Sequence, residues 1–343
     1  MMRKYFMRDN KKSGDEKQEV VVITGASAGV GRAVVREFAK RKAKIGLLAR
    51  GIDGLEGARR EVEAAGGEAL ALPTDVADPD QVEAAAAAVE DHFGPIDIWI
   101  NNAMVTVLSP FKEMTPAEFK RVTEVTYLGY VYGTMSALKR MLPRDRGMIV
   151  QVGSALAYRS IPLQSAYCGA KHGIKGFTDS IRSELIHDKS NVRITMVQLP
   201  ALNTPQFSWA KSRLPNQPQP VPPIFQPEVA AEGIYWAAHH NRRELSIGWP
   251  SVKAIEGNKV IPGLIDWYLA GFGYSGQQTN QPVDPNRRDN LWEPVPGDHG
   301  AHGIFDKRAK PYSVQLPIDL HRGWVAAGVA LLAVGIGALL NPR

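Results

Sequence analysis

The chain has 343 residues, with 41 Lys and Arg against 35 Asp and Glu, 44% hydrophobic residues, 32 Gly, 24 Pro and one Cys. That composition excludes a disordered, collagenous or disulfide-stapled protein, and the length supports a sizeable core. The net charge of +6 is not gathered into a basic stripe interleaved with aromatics, so nucleic-acid binding is set aside.

Residues 1–19 mix Lys and Arg with Asp and Glu and hold no apolar run of the secretory kind, so they read as a flexible arm. Residues 20–23 form a continuous apolar run, and Val34, Val35, Phe38 and Ala39 then recur at helical spacing within 30–42. Further strand-like runs fall at 45–49, 69–72, 96–100, 148–152, 192–199 and 244–248. The stretches 81–93, 116–141 and 166–187 are long enough for crossover helices. Runs apolar on both faces, alternating with helices, predict an α/β protein: a Rossmann-like doubly wound parallel sheet with helices on both faces. No linker interrupts the rhythm before residue 200, so 20–250 is expected as one domain.

The Pro-rich segment 214–227 can be neither helix interior nor central strand, and 203–227 reads as a loop or semi-rigid lid. Helical spacing returns at 228–238, and 251–322 is expected as a mostly irregular extension. Its His299 and His302 stand in a Gly-rich loop without a third ligand, so no metal is assigned. Residues 323–340 carry no charge; as a helix, about 18 residues span roughly 27 Å, enough for a single transmembrane pass. Arg322 and Arg343 flank this stretch, and Trp324 sits at the interfacial position. The expectation is a C-terminal membrane anchor, with Lys307, Arg308, Lys310 and Arg322 keeping the body cytoplasmic; a docking helix is the competing reading.

Chemistry first shows at Thr24-Gly25-Ala26-Ser27-Ala28-Gly29-Val30-Gly31, between the first strand and first helix. Glycines permit a tight turn and close approach of a phosphate, and the helix N-terminus supplies free N–H groups and a positive dipole end. Gly25, Ser27, Gly29, Val30 and Gly31 are therefore candidate pyrophosphate contacts. Arg50, at the end of the second strand, can pair with a ribose 2′-phosphate where a carboxylate would prefer the hydroxyl, which favours NADP(H) over NAD(H). Ser154 follows the fifth strand, and Tyr167 and Lys171 stand four apart on a predicted helix, on one face. The ammonium is expected to draw the phenol from its ordinary pKa of about 10 toward working pH, with Ser154 holding the reacting oxygen.

Together these residues resemble the short-chain dehydrogenase/reductase family over roughly 20–248. The match rests on the glycine turn, Asp75-Val76, Asn101-Asn102-Ala103, Ser154, Tyr167-Cys-Gly-Ala-Lys171, and Pro200 through Thr204. The resemblance implies that Asp75 and Val76 contact adenine, that Asn102 and Ala103 border the cofactor, and that Lys171 holds the nicotinamide ribose. By the same resemblance Tyr167 is the acid/base, Ser154 the substrate-oxygen partner, and Pro200 and Thr204 part of the nicotinamide-binding segment. Homo-oligomerisation through 116–141 and 166–187 is also implied. Two positions depart from the family pattern: Met104 replaces the Gly after Asn-Asn-Ala, and Thr126 stands where the family has a catalytic Asn.

The expected activity is hydride transfer between NADP(H) and a carbonyl or secondary alcohol, catalysed by Ser154, Tyr167 and Lys171. Leu156, Arg159, Gln164 and the lid would set the substrate. The apolar Phe207, Trp209, Ile224 and Phe225, with the tail, point to a lipophilic one. The alternative from another class is a non-catalytic, membrane-tethered NADP(H)-binding sensor or scaffold, suggested by Thr126 and the extension.

Overall fold

A computed structural model describes residues 18–322. Seven strands, β1 (Val20–Thr24), β2 (Lys44–Ala49), β3 (Glu68–Pro73), β4 (Ile98–Asn101), β5 (Met148–Val152), β6 (Arg193–Gln198) and β7 (Glu244–Ser246), form one sheet in the order β3-β2-β1-β4-β5-β6-β7. Every neighbouring pair is parallel. All five residues of β1 and of β5 are buried, as two-sided coverage by helices requires. The chain leaves β1 toward β2 on one side and reaches β4 on the other, so a crevice opens beyond the C-terminal ends of β1 and β4.

Two apolar layers cover the sheet. Helices α1 (Gly29–Ala39) and α2 (Ile52–Ala64) pack on one face through Val34, Phe38, Leu55 and Val62. The opposite face takes α3 (Pro79–Phe93), α4 (Pro116–Thr123), α5 (Gly129–Met141) and α6 (Ser165–His187) through Val82, Val122, Ala137 and Leu185. A further helix, α7 (Pro227–His239), returns to the α1 side through Val229 and Ile234. The helix starts are written locally. Asp78 accepts from the Asp80 and Gln81 N–H groups ahead of α3, and Thr115 and Glu118 form a reciprocal capping box with Pro116 opening α4.

The stretch 116–141, expected as one helix, is divided by a π-helical turn at Glu124–Leu128. Thr126 sits in that turn, wholly buried, donating to the Val105 carbonyl and accepting from its N–H. A side chain bonded across to the β4 loop holds a widened turn that periodicity does not reveal.

The extension also differs from expectation. It opens with two helices, α8 (Trp249–Val260) and α9 (Pro262–Phe272), rather than irregular chain. Pro250 and Pro262, which suggest interruption in a sequence, occupy first-turn positions where the missing N–H costs nothing. Beyond Pro282 the chain is largely irregular until the short helix Gln315–Leu320. The segment 203–227, expected as a loop or semi-rigid lid, carries short strands: Asn216–Pro218 pairs with Gln278–Pro282, and Lys211–Ser212 with Val107–Leu108. At the start of the fold, the Glu19 carboxylate meets His239, so the arm assigned to 1–19 ends in an ordered contact. The apolar segment 323–340 lies outside the described residues; among those described, no helix is long and apolar enough to cross a membrane.

Candidate active site

The glycine turn is built without room for side chains. A Cβ on Gly31 would fall 2.0 Å from the Gly25 carbonyl oxygen, and one on Gly25, whose φ is +68°, would fall 2.8 Å from the Ala103 Cα. Gly31 thus packs beneath the turn instead of facing the crevice. Thr24 ties the turn to the β4 loop: its hydroxyl accepts from the Asn102 and Ala103 N–H groups at 2.9 and 3.1 Å. The Asn102 amide completes the joint by donating to the Thr24 carbonyl at 3.0 Å.

A groove with about 1100 Å³ of empty space, part of it open to solvent, runs from this turn. It gathers most of the expected cofactor contacts: Gly25, Ser27, Gly29, Val30, Arg50, Asp75, Val76, Asn102, Ala103 and Thr204 all line it. Helix α1 points its N-terminus at the groove with neither a side-chain cap nor an acidic residue in its first turn. That is the donor arrangement a pyrophosphate fits, and the close-packed glycines give it access. NAD(P) is therefore compatible with the residues present.

Two expected contacts have other partners. Arg50 donates to the carbonyls of Asn290, Leu291 and Trp292, and burial lowers its pKa, with Arg121 nearby adding to the effect. Asp75 accepts from Arg121, whose Nε donates to the Leu291 carbonyl at 3.2 Å.

Ser154, Tyr167 and Lys171 stand beyond the groove lining, at the end of β5 and on the first turns of α6. The Ser154 hydroxyl accepts from the Leu156 N–H at 3.1 Å. Lys171, 2% exposed, donates to the Val152 carbonyl at 2.7 Å and the Tyr130 hydroxyl at 3.0 Å. Its Nζ lies 5.6 Å from the centre of the Tyr167 ring. The expected lowering of the phenol is not met in this state: burial pushes Tyr167 up, and the nearby Ser154 hydroxyl only partly offsets it. Burial also brings Lys171 down to about 7. Both groups lean toward neutrality because no countercharge sits between them.

Arg159 and Gln164, expected to read substrate, hold the extension instead. Arg159 meets Asp266 and donates to Asn258 Oδ1 at 3.1 Å, and Gln164 donates to Gln277 at 2.7 Å. Ile224 and Phe225, expected in a substrate pocket, are 1% and 5% exposed and belong to packed interior. Pro200 is the second residue after β6, between Leu199 and Ala201, whose carbonyls accept from the Ala155 and Phe225 N–H groups. Three participants escaped the sequence reading. Thr24 had a signal, its place before the turn; Tyr130 and the 290–300 segment had none, because their contacts join chain stretches far apart.

With this geometry in view, the family profile described as short chain dehydrogenase matches residues 19–213. The chain belongs to that family. It is 32% identical over 285 residues to the uncharacterized oxidoreductase YxnA of Bacillus subtilis, covering 82% of this chain and 80% of that one. A metagenomic short-chain oxidoreductase solved with NADP superposes with a TM-score of 0.56 at 26% identity, covering 67% of this chain and 96% of its own. A short chain dehydrogenase from Mycobacterium paratuberculosis, solved with NAD, shares the fold with a TM-score of 0.59 at 23% identity over 68% of this chain and 97% of that one. The protein is thus an oxidoreductase of this family, acting on CH–OH or C=O groups.

Proposed function

We propose that the protein is an NADP(H)-dependent carbonyl reductase or alcohol dehydrogenase in which Tyr167 exchanges the proton, Ser154 holds the reacting oxygen and Lys171 supports both Tyr167 and the cofactor ribose. The observation that carries this reading is the arrangement at α6: a buried Lys171 one helical turn from Tyr167, its Nζ 5.6 Å from the centre of the phenol ring, with Ser154 at the neighbouring end of β5. A reduced nicotinamide held in the groove would supply the hydride that converts the carbonyl to an alcohol. Tyr167 gives its proton to the developing alkoxide, and Ser154 donates a hydrogen bond to the same oxygen. The ammonium form of Lys171 stabilises the phenolate left behind. Gly25, Ser27 and the α1 N-terminus hold the pyrophosphate.

The preference for NADP(H) rests on Arg50. A guanidinium carries five N–H hydrogens; three are directed at the carbonyls of 290–292, leaving two for a 2′-phosphate. No carboxylate ends β2 to favour a ribose hydroxyl instead. A lipophilic substrate is supported by α9, whose Leu264, Trp267, Tyr268 and Phe272 are exposed by 60–79%, and by the apolar stretch 323–340. Aromatic side chains of this kind suit a membrane interface, where lipophilic carbonyls partition. Flotation of the full chain with lipid vesicles tests that placement.

The deciding experiment follows NADPH and NADH oxidation by the full chain against carbonyls from small ketones to steroids and long-chain lipids, with Tyr167→Phe alongside. Turnover that disappears in the variant is the expected result. Turnover unchanged by Tyr167→Phe rejects the assignment, and tight NADPH binding without turnover across the panel favours a binding module.

A further inference from the structure

The proposed cofactor groove has one wall that the family match does not account for. Asn290, Pro294, Val295, Gly297 and His299 line it along with the glycine turn. They lie far beyond residue 213, where the family profile ends. The segment is anchored to every element that carries the groove. Leu291 is wholly buried in the cluster that holds Val76, Val105 and Val125. Its neighbours' carbonyls take the Arg50 guanidinium, at 2.6 Å for Trp292 and 2.5 Å for Asn290. At α2, the Gly297 N–H donates to Asp53 at 2.7 Å. At α1, the buried Arg32 donates to both Asp298 carboxylate oxygens at 3.0 and 3.1 Å, and the Gly29 N–H donates to the Gly300 carbonyl at 3.0 Å. At the lid, the Phe305 N–H donates to Asn203 at 3.0 Å, and His299 packs edge-on against Trp209.

We propose that residues 290–300 are a strap that completes the dinucleotide site and holds the adenosine and pyrophosphate half of the cofactor in place, slowing its release. This rests on the NAD(P)(H) reading above. Strap residues line the groove together with the glycine turn and the Asp75–Val76 segment, and the groove stays partly open to solvent. Gly300 takes a single N–H of the α1 N-terminus, whose first turn has further N–H groups to offer an anion. Asp298, two residues before Gly300, is paired with Arg32, so its charge is compensated. The strap's hydrogen-bonding anchors are backbone groups at 290–292, 297 and 300 and the Asp298 carboxylate, with the Leu291 and His299 side chains packed beside them. Release from a covered groove requires those anchors to part, whereas an open crevice lets the dinucleotide leave directly.

The test uses the full chain with NADPH and NADH as probes. Equilibrium binding and stopped-flow displacement, followed by nicotinamide fluorescence, compare the wild type with Asp298→Asn and, independently, Asp53→Ala, which frees Gly297. Hydrogen exchange across 285–305 is recorded with and without dinucleotide. The expected result is dinucleotide-dependent protection of 290–300 and release at least tenfold faster in both variants. Unchanged release in folded variants overturns the strap while leaving the cofactor reading intact. Slower release or tighter binding also overturns it, showing that the segment competes with the cofactor. A wild type that binds neither dinucleotide sinks the cofactor reading, and the strap with it.

Discussion

The Nζ of Lys171 donates to the Tyr130 hydroxyl at 3.0 Å, and that hydroxyl in turn donates to the Val152 carbonyl, which Lys171 also reaches. Lysine, tyrosine and carbonyl form a closed triangle beneath the candidate site. The relation matters because Thr126, at the family's Asn position, has its hydroxyl committed to Val105 in both directions. Tyr130 is therefore the hydroxyl that positions Lys171, reaching it from the neighbouring helix.

Tyr130→Phe removes an acceptor from a buried ammonium, which favours the neutral amine. The Lys171 pKa, about 7 in the free protein, moves lower still. If Lys171 must be charged to act, the alkaline limb of the kcat/KM profile shifts to lower pH, and turnover at pH 8 falls several-fold. Stability falls by about 1 kcal/mol, as for one lost hydrogen bond. A pH–rate profile unchanged in shape would reduce Tyr130 to a packing residue.

Lys171 carries a stability penalty of definite sign. Its folded pKa, about 7 against an ordinary 10.5, means the unfolded chain binds the extra proton between those values. The penalty is full below pH 7, on the order of several kcal/mol at about 1.4 kcal/mol for each tenfold in proton affinity, and fades as pH rises toward 10.5. Lys171→Met should abolish turnover yet raise the denaturation midpoint, most at pH 6 and least at pH 10. Urea titrations across that range check the trend.

Thr126 invites the opposite experiment. Thr126→Val leaves the N–H and carbonyl of the buried Val105 without their partner beside the π-helical turn, at a cost of about 2–4 kcal/mol. Thr126→Ser keeps the hydroxyl and should stay within about 1 kcal/mol of wild type. Equal losses in the two variants, measured by urea unfolding, would mean that the methyl and not the hydroxyl holds the turn.

The contrast between Thr126 and Arg50 explains what the sequence could reveal. The seven-strand rhythm was legible because a sheet covered on both faces needs unbroken apolar runs such as 20–23 and 148–152. The glycine turn was legible because its spacing is a backbone requirement, seen in the 2.0 Å that a Gly31 Cβ would leave. Arg50 lines the groove, but its partners are carbonyls 240 residues away, and carbonyls have no residue-type signature. For the same reason the strap read as an irregular loop, and Arg159 read as a substrate contact when Asp266 and Asn258 hold it.

The acid limit of the fold should lie partly in Glu61. Its carboxylate, half shielded, binds Arg32 and Arg36 at 2.8 Å each, and despite opposing burial these bonds bring it down to about 2. A depressed carboxylate contributes stability above its ordinary pKa of 4.5 and loses it as pH falls toward 2. Glu61→Gln should lower the melting temperature at pH 7 and differ progressively less from wild type as pH drops from 5 to 3. A gap that stays constant with pH would mean the effect is steric.

Two glycines on α6 separate a free helix face from one that meets a second subunit. Gly169, between Tyr167 and Lys171, and Gly176 both lie in the helix interior, and a Cβ at either meets nothing within 4 Å. In an isolated chain, Gly→Ala at such positions stabilises by about 0.5–1 kcal/mol each, through lost freedom of the unfolded state. Gly169→Ala and Gly176→Ala are expected to raise the melting temperature together, with Tyr167 and Lys171 undisturbed and sedimentation unchanged. A lowered melting temperature with a smaller sedimenting species would mean that the added methyls strike a partner's surface, placing a homo-oligomer interface on this face of α6. The two results are separable because the methyl has room within the chain, so any steric loss must come from outside it.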